Sequence, residues 1–264
     1  MTIAEHLDEL RRRLVWASAA ILIVFIASWF FRDELMEILL RPHYRAMDSL
    51  QKSLDQKFLD GLLPQHEVVD RRPIVTSYTE TIVTYMKACF IVSLFVAGPY
   101  VLWQIWGFIA AGLYKREKTF VHRYFPFALI LFFAGVAFGY FFLIPLGLDF
   151  LANFGSERVR QAIRISDYFS LFLTLTIALG LVFQIPMVMV ILSRLGIVQP
   201  SAFRGKWKFV IVACFVIAAI VTPTPDPYNQ SLLALSMYLL YEIGIFFAKI
   251  AYRERQKNLE GQTP

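Results

Sequence analysis

Residues 124–154 read YFPFALILFFAGVAFGYFFLIPLGLDFLANF, thirty-one positions with a single charged side chain, Asp149. A bilayer's hydrocarbon core is about 30 Å thick, and about 20 apolar residues in a helix cross it. This run is long enough to span with residues to spare. Lipid offers no partner for a bare amide, so a run of this kind is predicted to be a helix, which satisfies its backbone internally.

Five more apolar runs flank it, at 14–31, 88–113, 168–193, 209–221 and 231–248. The whole 264-residue chain is 58% hydrophobic and only 17% charged, too apolar for an ordinary water-soluble domain. The expectation is an all-α polytopic membrane protein of six transmembrane helices in one domain, with an outer loop at 32–77. The first run has acidic residues Glu5, Asp8 and Glu9 before it and no small-residue cleavage site, so it is read as a retained anchor. The fifth run, 13 residues, reaches only about 20 Å as a helix, so the fifth and sixth spans are read as short helices across a thinned bilayer. Prolines 99, 126, 145 and 186 interrupt the other runs and should bend them, which suits a concave bundle.

The formal charge of +6 does not point to nucleic acid, because Lys and Arg stand at the ends of apolar runs rather than on one face among aromatics. Fifteen of them fall in the head, the second-to-third and fourth-to-fifth connections, and the tail, all on one side if six spans hold. Short cytoplasmic flanks retain positive charge, so both termini are placed inside. The segment 32–77 carries seven basic and eight acidic residues and weighs little in that rule. Within it, 46–63 reads as amphipathic, either a short helix over the bundle or a solvated connector.

Cys89 and Cys214 lie inside apolar runs and read as packing residues, while His6, His43, His66 and His122 have no ligand spacing. No metal or cofactor is assigned. An intramembrane enzyme would need a nucleophile with its base, or a ligand pair, inside the spans, and neither occurs. The rival class is a small-solute secondary transporter or channel, which would favour repeated halves and a midplane site; no internal repeat is evident.

Two acids stand at the positive side. Glu9, in HLDELRRRL from His6 to Leu14, is set away from the face shared by Leu7, Leu10 and Leu14. It reads either as an i,i+4 partner of Arg13, worth about 0.3–0.5 kcal/mol, or as a binding group. Glu117 is the one carboxylate in the basic stretch LYKREK, 113–118. Two carboxylates on one face can grip paired guanidiniums through parallel charge-assisted hydrogen bonds, a fork that lysine cannot reproduce.

The head motif, together with YVLWQIWGFIAAGLYKREK (100–118), FGYFFLIPLGLDFLANF (138–154) and VTPTPDPYNQSLLALSMYLLYEIG (221–244), resembles the TatC family, a subunit of the twin-arginine protein translocase. The resemblance covers nearly the whole chain. It implies a six-helix, glove-like fold. It also implies a receptor for signal peptides with consecutive arginines, working with TatA- and TatB-type partners to move folded proteins on the proton-motive force in a bacterial-type inner membrane. By the same resemblance Glu9 and Glu117 bind the arginine pair, Phe108 and Tyr114 shape the second site, and self-association is expected. Three departures stand out. Gln184 replaces a frequent glutamate of the fourth span, leaving a polar or partner-contact role but no proton-carrying one. Ala111 replaces a usual proline, and the outer loop is longer. Asp226 and Gln230 fall in the family's outer turn, where Asp226 before Pro227 also fits a helix cap.

Overall fold

The computed structural model describes residues 3–60, 72–113, 115–153, 163–222 and 227–260. Ten α-helices and one π segment account for nearly all of them: α1 (Ile3–Trp29), α2 (Arg32–Leu59), α3 (Tyr78–Ala111), α4 (Lys115–Phe138), α5 (Ile144–Asn153), α6 (Ile165–Val182), α7 (Ile185–Leu195), α8 (Pro200–Gly205), α9 (Trp207–Val221) and α10 (Pro227–Glu260). The π turn Gly139–Leu143 joins α4 to α5. Four stretches are long and apolar enough to cross a membrane: Tyr78–Ala111, Lys118–Leu151, Ile165–Leu195 and Pro227–Lys257. Helix α1 with α2 makes a fifth, bent by 97°, and α9 is a shorter apolar helix. This is an all-α, multi-pass membrane fold.

Large parts of the surface are apolar, with Phe30, Leu181, Phe209 and Ile220 all strongly exposed. In water such a surface would aggregate; against lipid it is the solvated face. The core lies where α2, α5, α6 and α10 meet around Phe169, Phe172, Leu179, Leu233 and Met237.

Proline placement explains two breaks. Pro186 has no N–H to return to Val182, so α6 ends there and α7 restarts after the Phe183–Gln184 turn. At the other end α7 stops at Gly196, whose φ of 76° is left-handed and whose Cβ site is filled by the Arg255 guanidinium, so no side chain fits there.

The segment expected as an outer loop is instead led by α2, which begins at Arg32, fourteen residues before the amphipathic stretch read from the sequence. Its buried positions Met36, Leu39, Leu40, Pro42, His43, Ala46 and Met47 form one stripe against α5 and α3, interrupted in the sequence by charges that face away. Pro42 sits inside α2 and cannot donate to the Ile38 carbonyl, and its ring also crowds the preceding turn. One tyrosine supplies the missing donor and a second anchors the next carbonyl. Tyr140, in the π turn, donates its hydroxyl to Ile38 O at 2.7 Å, and buried Tyr168, on α6, donates to Leu39 O. The kinked helix is thereby riveted to the bundle.

The same end of the molecule is tied again by a short parallel bridge, in which Ile74 N–H donates to Ile163 O and Ile165 N–H donates to Ile74 O. Glu80 on α3 accepts from Thr76 and from Ser166 N–H, an otherwise orphaned donor in the first turn of α6. Lys87 reaches Ser170 Oγ at 2.7 Å and both oxygens of Ser166. The sixth helix is not short: α10 has 34 residues, and from Lys249 onward it continues past the apolar part as a charge-rich stretch.

Removing the Tyr168 hydroxyl should test the rivet. Tyr168→Phe is expected to lower stability by about 1–3 kcal/mol, the cost of a buried acceptor left bare, in thermal unfolding of the detergent-purified protein. Tyr140→Phe, which strips the Ile38 carbonyl, should cost markedly less when added to Pro42→Ala, because the alanine restores an in-helix donor to that same carbonyl.

Candidate functional site

Helix α1 is amphipathic in the inverted sense that a membrane demands. Leu7, Leu10 and Leu14 point outward, while His6, Glu9, Arg13 and Ala17, spaced at helical period on the opposite side, face α3. Lipid and interface take the leucines, and protein takes the polar stripe. The Glu9 side chain is only 13% exposed, and both oxygens hold guanidiniums: Arg13 Nε at 2.7 Å and Nη2 at 2.6 Å on Oε1, and Arg12 Nη2 at 2.6 Å on Oε2. Arg13 also donates from Nη1 to Gln104 Oε1 on α3 at 3.3 Å. Its guanidinium lies where a Cβ on residue 107 would be, so Gly107 makes the slot. One turn toward the N-terminus, His6 stacks on Phe108 with ring centroids 4.4 Å apart.

Among the acids, Glu117 belongs to the first turn of α4, where its backbone is described and its side chain lies outside the described residues; Tyr114 also lies outside them. Only three residues separate α3 from α4, a reach of about 14 Å at most, so the start of α4 stays at the end of α3 that Glu9 packs upon.

The other predicted residues scatter. Gln184 is buried in the α6–α7 turn, far along the chain from the head motif; its Nε2 donates to Ala128 O on α4 at 3.3 Å, and its Oε1 has no hydrogen-bond partner among the described residues. Gln230 donates to Phe215 O at 3.1 Å and so ties α10 to α9. Asp226 lies outside the described residues. Glu242 is exposed and accepts from Tyr238 at 2.8 Å.

One residue at this end was read only as a basic flank. Arg194, at the close of α7, is 6% exposed. It donates to Ala251 O at 2.9 Å, pairs with Glu254 at 3.3 Å and lies over the Phe120 ring at 4.5 Å. Tyr124 reaches the same Glu254. The first turns of α4, the last turn of α7 and the tail of α10 are thus joined, and the amino-terminal head and carboxyl-terminal tail occupy one end of the bundle. A signal existed in the sequence: Arg194 and Leu195 precede Gly196, a helix-ending residue, so Arg194 falls inside the last helical turn rather than beyond it.

Comparison with known proteins places this multi-pass helical fold. Residues 5–235 match the family described as Sec-independent protein translocase protein (TatC). The chain belongs to the TatC family. The TatC protein of Koribacter versatilis is 36% identical over 263 residues, covering 99% of this chain and 90% of that one. That of Escherichia coli K12 is 34% identical over 255 residues, with 97% and 90% covered. A crystal structure of the twin-arginine translocase receptor TatC superposes with a TM-score of 0.74 at 32% identity, covering 93% of this chain and 99% of that one. As a TatC-family chain it is a subunit of the Sec-independent, twin-arginine protein translocase and not an enzyme.

The Arg194 junction is expected to be a stability element of the TatC fold. Arg194→Gln should destabilise by about 1–3 kcal/mol in detergent unfolding, because a buried carbonyl and an aromatic face lose their donor. Glu254→Gln, at the half-exposed partner, should cost less than about 1 kcal/mol.

Proposed function

We propose that this TatC-family chain is the receptor subunit for signal peptides bearing consecutive arginines, with Glu9 and Glu117 as the carboxylates that hold the pair. The observation that carries the reading is the state of Glu9: a largely buried carboxylate, fixed between two helices, whose two oxygens each take a guanidinium nitrogen at 2.6 Å. A carboxylate able to hold its own Arg12 and Arg13 has the shape and charge to hold another molecule's. Phe108 and Tyr114 would line the route between the two acids and offer flat faces to guanidinium planes.

In this reading all six apolar segments cross, with α9 as the short fifth span, and the single domain covers 1–264. The basic head, connections and tail face the cytoplasm across a bacterial-type inner membrane, in line with fifteen basic residues at that end. Peptide bound there would be passed on with TatA- and TatB-type single-span partners and with further copies of this chain, driven by the proton-motive force. Gln184 would be a polar contact for a partner helix, a bond worth about 1 kcal/mol in lipid, while its Nε2 bond to Ala128 O ties it to α4. Asp226 and Gln230 would shape the outer turn; the contact of Gln230 with Phe215 supports a local bracing role.

A photo-crosslinking twin-arginine signal peptide should label the purified protein. Labelling is expected to fall by about tenfold or more with Glu9→Ala, with Glu117→Ala, or when the peptide's arginine pair becomes a lysine pair. Equal labelling in all four cases would remove the assigned site.

A further inference from the structure

Glu9 is not vacant in the structure, and its two occupants differ. Arg13 is held by three nitrogens at once, two on Oε1 and one on Gln104, with 22% of its side chain exposed and the Gly107 slot around it. Arg12 makes a single contact, Nη2 to Oε2, and 68% of its side chain is exposed, with no second partner among the described residues. Breaking the Arg13 contacts strips a largely buried carboxylate and an amide together. Breaking the Arg12 contact returns a guanidinium to water and exposes one oxygen edge.

We propose that the two guanidiniums have unequal roles: Arg13 is a positioning residue that aims the Glu9 carboxylate, and Arg12 is a resident competitor that an incoming arginine displaces from Oε2. The proposal rests on the receptor reading above and adds the manner of entry. Exchange of one guanidinium for another never leaves the carboxylate bare, so the desolvation cost that opposes opening a buried charge does not arise. The geometry also fits an extended ligand. Neighbouring side chains of an extended segment point to opposite sides, so one incoming arginine needs one free edge of Glu9 and its neighbour seeks a different acid. Arg12 and Arg13 can share Glu9 only because they lie three and four residues along the same helix.

The resident arginine sets a threshold: any ligand must outbind it, and a weakly held cation does not. Its removal therefore strengthens binding, a direction that loss of a structural contact would not produce.

The test is titration of a fluorescent twin-arginine signal peptide against the full chain purified in detergent, read by anisotropy. Arg12→Gln is expected to tighten binding about two- to fivefold, the scale of an exposed ion pair. Arg12→Lys should fall between. Arg13→Gln is expected to weaken binding, because Glu9 loses its aim. Arg11→Gln removes the same charge without touching Glu9 and is expected to leave binding within twofold, in high salt as in low. Unchanged or weaker binding by Arg12→Gln, tightening by Arg13→Gln, or equal tightening by Arg11→Gln overturns the proposal. Glu9→Ala separates the two levels: if it abolishes binding while Arg12→Gln does nothing, only the exchange is wrong, and if it leaves binding intact, the receptor reading and the exchange fall together.

Discussion

Inside a bilayer a polar group left without a partner has no water to fall back on, and that constraint organises this molecule more than any single apolar contact. Several departures from plain helix are met by a donor or acceptor from another element. Pro42 frees the Ile38 carbonyl, which Tyr140 takes, and Tyr168 adds a bond to the neighbouring Leu39 carbonyl. Lys87 spends its ammonium on Ser166 and Ser170, and Arg194 spends its guanidinium on Ala251 and Glu254. Hydrophobic burial cannot hold such helices together, since lipid is as apolar as leucine. The polar rivets and the close glycine approaches, such as Gly98 and Gly135 against the Phe132 and Phe183 rings, supply what burial does not.

The two ends of the bundle solve the problem differently. At the end where α2 lies, long side chains cap backbone: tyrosine hydroxyls on carbonyls, Glu80 on the amide of Ser166. At the head end charge meets charge, with Glu9 among arginines and Arg194 beside Glu254. The first arrangement fixes backbone and leaves little to exchange. The second uses groups whose bonds are strong when shielded and weak when wet, so small differences in exposure separate a permanent contact from a replaceable one.

Much of this was legible from the residues. Six apolar runs and their charged flanks predicted an all-helical, multi-pass chain, and the spacing of Glu9 and Arg13 predicted the i,i+4 pair that forms. The misreadings have physical causes. Helix α2 was taken as mostly loop because Asp33, Glu34, Glu37 and Arg41 break up its apolar residues in sequence, although they point away from Met36, Leu39 and Leu40 in space. The leucine face of the head was legible as a face, but which way it points follows from the solvent, and lipid inverts the rule that apolar residues turn inward. The Tyr140 and Tyr168 rivets join residues 102 and 129 positions apart, and no local pattern announces them.

Arg194 and Arg12 carry a broader point about counting charges. The positive-flank rule treats both as equal tokens of orientation. One is 6% exposed and knits three helices; the other's side chain is 68% exposed and touches one oxygen. A basic residue that ends a membrane helix can therefore be a topological signal, a structural bolt or a ligand surrogate, and burial together with the number of partners decides among them. For Glu9 this has a direct consequence under the proposed receptor role: a carboxylate shielded between two helices is kept filled from its own helix, and the strength of that filling would set how much an incoming arginine must offer.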